Sequence, residues 1–423
     1  MAEIEPLRAL HYDLSVAGPL GDVTAPPYDV IDASQRAELI ARSPHNVVAL
    51  DLPEGEPDPY AHARELLDAW RLQSVIVRDG EPALWAHTQE YTGPDGRRLT
   101  RRGFFCRVRL EEYGPGRVRP HERTHPGPKE DRLRLTRATQ ANMSPIFSLF
   151  SDPAGAAWGA LEPATADPPW GETTDADGTL HRLWRVSDPA AIAAVKAAAS
   201  GSELLIADGH HRYETARAYQ QEIREANGDA AGGHDYVLML LVALEDPGLT
   251  VFPTHRLVKG LDQARREALR DAIARDFETE EVLAQEIDPP AGDGPLQLGY
   301  IDAHHKRPLR LTLRDQAIAD AALSDRSPAY RRLDTGVLET LLLKGALGLS
   351  DEDISHLHDF YYARDTPQAL ELVQESAYDV AFVMRPTPVA QVRDVAAAGE
   401  NMPPKSTYFF PKVLTGLLFN PLA

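Results

Sequence analysis

The sequence predicts a mixed α/β (α+β) protein, and three observations carry that expectation. Stretches with strand character alternate with stretches of helical period along the whole chain. The run 236–244 is continuously apolar, which suits a strand covered on both faces. The apolar run Leu204-Leu205-Ile206-Ala207 breaks at Asp208-Gly209 into a segment of helical period, as a strand-to-helix turn does.

In chain order, Ala25-Pro26-Pro27-Tyr28-Asp29-Val30 is a proline-stiffened turn, and helices are expected over 34–42 and 60–72. Strands follow at 83–89 and 103–110, with Pro94-Asp95-Gly96 turning between them. Residues 151–178 are rich in Pro, Ala, Asp and Gly and read as a connection or insertion. The helix after Asp208 is expected to start near His210, with Tyr213, Ala216, Tyr219 or Gln220, and Ile223 on its inner face and Glu214, Arg217 and Arg224 on its wet side. A polar loop at 227–233 precedes the strand 236–244. Beyond it come a helix over 262–277, strands at 296–301 and 309–313, a helix over 335–347, a strand at 380–384 and a helix over 389–398.

The chain has 423 residues, room for two or three domains, and its 43% hydrophobic and 26% charged residues are an ordinary soluble mixture. Lys plus Arg number 44 against 64 Asp plus Glu, a formal net charge of −20. That balance opposes a nucleic-acid surface or an anionic membrane as partner. The single Cys106 offers no internal disulfide or metal pair, and neither an export signal nor a membrane span is indicated, so a cytoplasmic protein is expected.

Residues Asp208-Gly209-His210-His211-Arg212 hold the most chemistry. A helix that opens at a glycine presents free backbone N–H groups, and Gly209 lets a ligand approach without a Cβ in the way. Arg212 can fork onto phosphate oxygens, and Asp208 can hold a divalent ion or cap the turn. The alternatives are a capped turn with locally packed histidines, or direct metal ligation by His210 and His211, although helix-face ligand pairs usually sit three or four residues apart.

His121-Glu122-Arg123-Thr124-His125 matches the zinc-protease pattern H-E-x-x-H letter for letter. That chemistry needs a helix through both histidines, and Pro120 before it with Pro126-Gly127-Pro128 after it oppose one. A metal-dependent hydrolase, a structural role, and a loop offering Glu122 as a proton acceptor remain the readings of this stretch. Late in the chain, Met402-Pro403-Pro404-Lys405-Ser406-Thr407 is a stiffened loop with a lysine beside two hydroxyls, suited to an anionic or carboxylate ligand. Thr254-His255-Arg256 follows a buried strand and adds Arg256 as a candidate for the same pocket. His304-His305, His356 and His358 read as surface or packing residues.

Three stretches, Arg119-Pro120-His121-Glu122, Leu205 through Arg212, and Met402 through Thr407, together resemble a bacterial and archaeal family known as a domain of unknown function, and they are similar in order and wording to the free serine kinases of ParB/sulfiredoxin-like fold. The resemblance implies a ParB/sulfiredoxin-like nucleotide-binding core over 111–260 with an insertion near 130–195. An N-terminal α/β domain over 1–110 and a C-terminal α/β domain over 261–423, with a substrate loop near 399–412, complete the scheme. It further implies a phosphotransferase using ATP or ADP and Mg²⁺ on the hydroxyl of a small molecule, possibly free serine. Glu122 and His121 would be catalytic, Asp208 to Arg212 would hold the phosphates with Asp208 at the metal, and Lys405, Ser406, Thr407 and Arg256 would meet the substrate. A ParB-like nucleotide-binding switch without metabolite chemistry is the rival reading, and a homodimer is possible in either.

Overall fold

The computed structural model describes residues 3–94, 96–124, 126–228, 230–292, 294–355 and 358–422. Asp95 of the expected hairpin turn, His125 of the H-E-x-x-H match and His356 lie outside the described residues. The chain divides into two compact units: Met1–Pro120, Thr124–Thr250 and Pro411–Ala423 form one, and His121–Arg123 with Val251–Phe410 form the other.

The first unit is built on β1 (Ile4–Glu5), α1 (Ala33–Arg42), α2 (Pro59–Leu72), β2 (Leu84–Thr92), β3 (Arg98–Arg109), β4 (Val118–Arg119), α3 (Pro126–Thr139), β5 (Ile146–Phe150), α4 (Ala156–Leu161), β6 (Gly171–Thr174), β7 (Leu180–Val186), α5 (Pro189–Ala199), β8 (Leu204–Asp208), α6 (His210–Asn227) and β9 (Tyr236–Ala243). Its nine-stranded sheet runs β4-β8-β5-β9-β3-β2-β7-β6, with β1 also on β3. The β4–β8 and β5–β9 pairs are parallel, and the other pairs along this order are antiparallel.

Strand alternation sorts the side chains of this sheet. Leu84 and Ala86 of β2, Phe104, Cys106 and Val108 of β3, and Met239 and Leu241 of β9 form one apolar face, against which Val195 of α5 and Tyr213 of α6 pack. The opposite face is polar as well as buried, because Trp85, His87 and Gln89 alternate with those β2 residues and Arg101 lies on the matching face of β3. Caps set the helix starts: Asp32 accepts from the Gln35 N–H while Gln35 reaches back to the Asp32 N–H, and Asp188 caps α5 ahead of its first-turn proline.

Of the two readings of residues 151–178, a bare connection is not what forms, since α4 and β6 fold within them. Helix α3 starts at Pro126, after the H-E-x-x-H stretch, where proline is tolerated in a first helical turn. Residues 121–124 are not helical, as expected.

The second unit comprises β10 (His255–Val258), α7 (Gln263–Asp276), β11 (Phe277–Glu281), β12 (Gln297–Asp302), β13 (Leu309–Leu313), α8 (Asp334–Leu338), β14 (Phe360–Ala363), α9 (Thr366–Gln374), β15 (Val380–Val383) and α10 (Val389–Ala397). Its six-stranded sheet runs β11-β13-β12-β15-β10-β14, every neighbour antiparallel. The helix expected over 335–347 is shorter in α form: after α8 the backbone widens into a π-helix over Glu339–Lys344. No helix among the described residues is long and apolar enough to cross a membrane.

Candidate functional site

The Asp208 turn forms at a local irregularity of the first unit's sheet. The β8–β5 ladder shifts register between Ile206 and Asp208, so Asp208 stands opposite Phe147 where the strand ends. Gly209 then takes φ +102 and serves as the N-cap of α6. The dihedral favours glycine, and a Cβ there would lie 2.9 Å from Arg212 Nε and 3.1 Å from its Cζ, so a side chain would also displace Arg212. The helix begins at His210, as the sequence predicts, and Tyr213, Ala216 and Tyr219 are its buried face. Glu214 is not simply solvated: its carboxylate accepts from the Thr124 hydroxyl at 2.7 Å and from Lys129 Nζ at 2.9 Å.

Both oxygens of Asp208 face cations. Lys412 Nζ is 2.9 Å from Oδ2, and Arg212 Nη2 is 3.3 Å from Oδ1. Burial alone would raise this carboxyl; Lys412 and Arg212, helped by His210, outweigh it and hold the group well below the usual carboxylate range. Arg212 also donates through Nη1 to the carbonyl of Pro145, which fixes the fork across the turn. Lys412 was not singled out by sequence reasoning, and the only signal for it was its position at the end of the 399–412 loop.

The wall of Arg212 away from Asp208 borders a cavity of about 40 Å³ shared with Tyr28, Asp51, Arg132 and Ser144. Arg132 Nη1 is 2.9 Å from Asp51 Oδ1, and its guanidinium lies 4.3 Å from the Tyr28 ring centroid. The Pro26-Pro27-Tyr28-Asp29 turn therefore contributes an aromatic to this wall.

The other sequence-predicted residues gather in the second unit. His121 is fully buried, with Nε2 2.9 Å from Thr407 Oγ1 and its carbonyl accepting from the Met402 N–H at 2.8 Å. The Ser406 hydroxyl donates to the Pro403 carbonyl at 2.7 Å and lies 2.8 Å from Thr335 Oγ1. Arg256 donates through Nη2 to the Lys405 carbonyl at 3.1 Å and stacks 5.4 Å from the Tyr362 centroid. These bonds fasten the 403–407 loop from both sides and leave Lys405 exposed at φ +54. Glu122 shares this neighbourhood: burial pushes the Tyr362 phenol up to about 12, Arg256 opposes the rise, and Glu339 and Glu122 add to it. Glu122, His121, Arg256 and the Lys405 loop thus belong to one unit, and Asp208 through Arg212 to the other.

Among the described residues no group of three or more His, Cys, Asp or Glu is arranged to hold a metal. Each oxygen of Asp208 already faces a protein cation, so the described residues do not by themselves make a site for Mg²⁺.

A family model described as "Protein of unknown function (DUF1015)" matches residues 4–336. No curated protein matches the sequence. Among solved structures, a conserved hypothetical protein from Pyrococcus furiosus is similar at 14% identity over 69% of this chain and 86% of that one, with a TM-score of 0.34. A free serine kinase mutant in complex with AMP is 13% identical over 69% of this chain and 83% of that one, TM-score 0.36. SbnI with a C-terminal truncation, from Staphylococcus aureus, is 12% identical over 70% and 82%, TM-score 0.35. Scores of this size do not establish a common fold.

Proposed function

The chain belongs to the DUF1015 family of proteins of unknown function, and from that premise we propose that it is a nucleotide-dependent phosphotransferase acting on the hydroxyl of a small molecule, free serine being the first candidate. The observation that carries this reading is the Asp208 turn, where a glycine N-cap opens an 18-residue helix beside a carboxylate held by Lys412 and Arg212. A helix N-terminus opened by glycine and more cation than anion at one point suit a phosphate. A ParB/sulfiredoxin-like core over 111–260 belongs to the same proposal.

Phosphoryl transfer asks a protein mainly for positioning and charge neutralisation. In this reading the α6 N-terminus and Arg212 hold the nucleotide phosphates. The substrate oxygen attacks the terminal phosphorus, its proton passes to Glu122, and the broken P–O bond leaves its electron pair on the departing nucleotide. His121, anchored on Thr407, orients the loop that carries Glu122. Lys405 offers charge to the substrate, and Ser406, Thr407 and Arg256 hold the backbone that presents it. Any magnesium would arrive on the nucleotide's own phosphates.

Paired kinetics test the assignment. Glu122→Gln should lower turnover by roughly 10²–10⁴-fold with nucleotide affinity kept, as expected for loss of a general base. Arg212→Ala should weaken nucleotide binding by about 1.5–3 kcal/mol, as expected for a charge-assisted bond. Full turnover in Glu122→Gln removes that residue from the chemistry. Nucleotide binding that changes the oligomeric state without any phosphorylated product would replace the enzyme with a binding switch.

A further inference from the structure

On the polar face of the nine-stranded sheet, Arg101 and Arg107 are cations whose hydrogen bonding is incomplete, and Arg101 is the more deeply buried. Arg101 on β3 is 1% exposed. Its Nε donates to Gln89 Oε1 at 2.9 Å and its Nη2 to the Pro411 carbonyl at 2.5 Å, while Nη1 is buried with no hydrogen-bond partner. A buried guanidinium N–H without an acceptor is costly and calls for an explanation.

Its surroundings point to the Asp208 turn. The guanidinium lies 4.4 Å from the ring centroid of Phe147, and Phe147 is the residue opposite Asp208 in the β5–β8 ladder. Pro411, which takes Nη2, immediately precedes Lys412, whose Nζ holds Asp208. Burial pushes the Arg101 guanidinium down to about 10, and Asp208 is among the anions that oppose that shift. Lys412 and Arg212 hold Asp208 directly, and Arg101, on which Asp246 and then Asp208 act, adds a third cation beside the turn. Cations in excess of carboxylates at one point suit a phosphate monoester or terminal phosphate, which carries about −1.5 to −2 charges at pH 7.

We propose that Arg101 is a phosphate-binding residue, its Nη1 and Lys412 Nζ taking oxygens of one phosphoryl group seated at the N-terminus of α6. The inference rests on the phosphate reading of the turn and adds the two cations that no local motif marks. The Phe147 ring, 4.4 Å from the guanidinium carbon, packs against it. Lys412 exchanges a contact with Asp208 for one with the ligand.

Calorimetric titration of the full chain with ADP, inorganic phosphate and adenosine tests this, using wild type, Arg101→Lys and Lys412→Gln. Wild type should bind ADP, and each substitution should weaken that binding at least tenfold with the thermal midpoint kept within a few degrees. Binding of ADP at wild-type affinity by both variants overturns the role of these residues and leaves the nucleotide reading standing. Binding of inorganic phosphate but not ADP, lost in the variants, supports the site and removes the nucleotide. No binding of either by wild type overturns both. If Arg101→Lys does not fold, Lys412→Gln decides, since its side chain is 23% exposed and lies at the edge of the cluster.

Discussion

Lys412 and Asp208 are 204 residues apart in sequence and 2.9 Å apart in the folded chain. The pair ties the C-terminal segment to the most chemically loaded turn of the first unit. The same segment pairs Thr415 with Ala25, Phe419 with Leu10, and Asn420 with Asn142, so its backbone is threaded into that unit over ten residues. Removal of residues 411–423 should therefore destabilise the first unit as well as release Asp208.

The Asp208 carboxyl titrates below its ordinary value of about 3.9, so its stabilising contribution is complete above that value and is lost as pH falls through the lower folded value. Lys412→Gln removes one source of the depression, so acid unfolding should begin at higher pH in this variant than in wild type. Identical acid transitions by circular dichroism would show that the pair does not stabilise the fold.

Gly209→Ala places a Cβ at φ +102 and within 2.9 Å of Arg212 Nε. The dihedral alone costs about 1–3 kcal/mol, and relief of the clash requires Arg212 to leave the Pro145 carbonyl and Asp208. Urea unfolding should show a loss in that range together with weaker phosphate binding. Unchanged stability would mean that the turn relaxes freely.

Arg132 and Asp51 form a buried pair whose side chains are 6% and 4% exposed. Arg132→Met leaves the Asp51 carboxylate without its guanidinium and should destabilise the first unit by about 3–5 kcal/mol. The double variant with Asp51→Asn should recover part of that loss. A single-variant cost below about 1 kcal/mol, where exposed pairs fall, would show that the cavity is more hydrated than its lining implies.

His255 is held neutral in the second unit. The Met384 N–H donates to Nδ1 at 3.0 Å, so the ring proton sits on Nε2 and faces Thr366 Oγ1 at 3.2 Å. Burial pushes the imidazole down to about 4 from 6.5. Because the folded value lies below the unfolded one, this contribution is fully present above pH 6.5 and is lost as pH falls from 6.5 toward 4, by about 3 kcal/mol at 1.36 kcal/mol per unit. Thermal midpoints measured across that range should fall in wild type and flatten in His255→Gln.

The legible parts of this fold were those set by neighbours in sequence. The β8–α6 turn shows in the apolar run, the Asp-Gly break and the 3.6-residue period that follows, and β9 shows in its unbroken apolar run. Helix α3 was obscured by Pro126 and Pro128, which are breakers inside a helix but compatible with its first turn. Arg101 carries no local signal, and Lys412 only its place at the end of the 399–412 loop: one is an arginine within a strand of alternating pattern, the other a lysine whose partner is 204 residues away. Tertiary pairing brings Lys412 to the turn and Arg101 to its neighbours Phe147 and Pro411. Ser406 and Thr407 were legible as polar residues of a late loop, but their buried hydrogen bonds to Pro403, Thr335 and His121 depend on the packing of the second unit.

The most direct test of the central claim is a ³¹P NMR time course of the purified protein with Mg²⁺, ATP or ADP, and a mixture of free amino acids and small alcohols. A phosphotransferase predicts a new phosphomonoester resonance that grows as the nucleotide is consumed and is absent with Glu122→Gln. Nucleotide that remains intact in the presence of every acceptor, under conditions where it binds the protein, would contradict the enzyme and leave a nucleotide-binding switch.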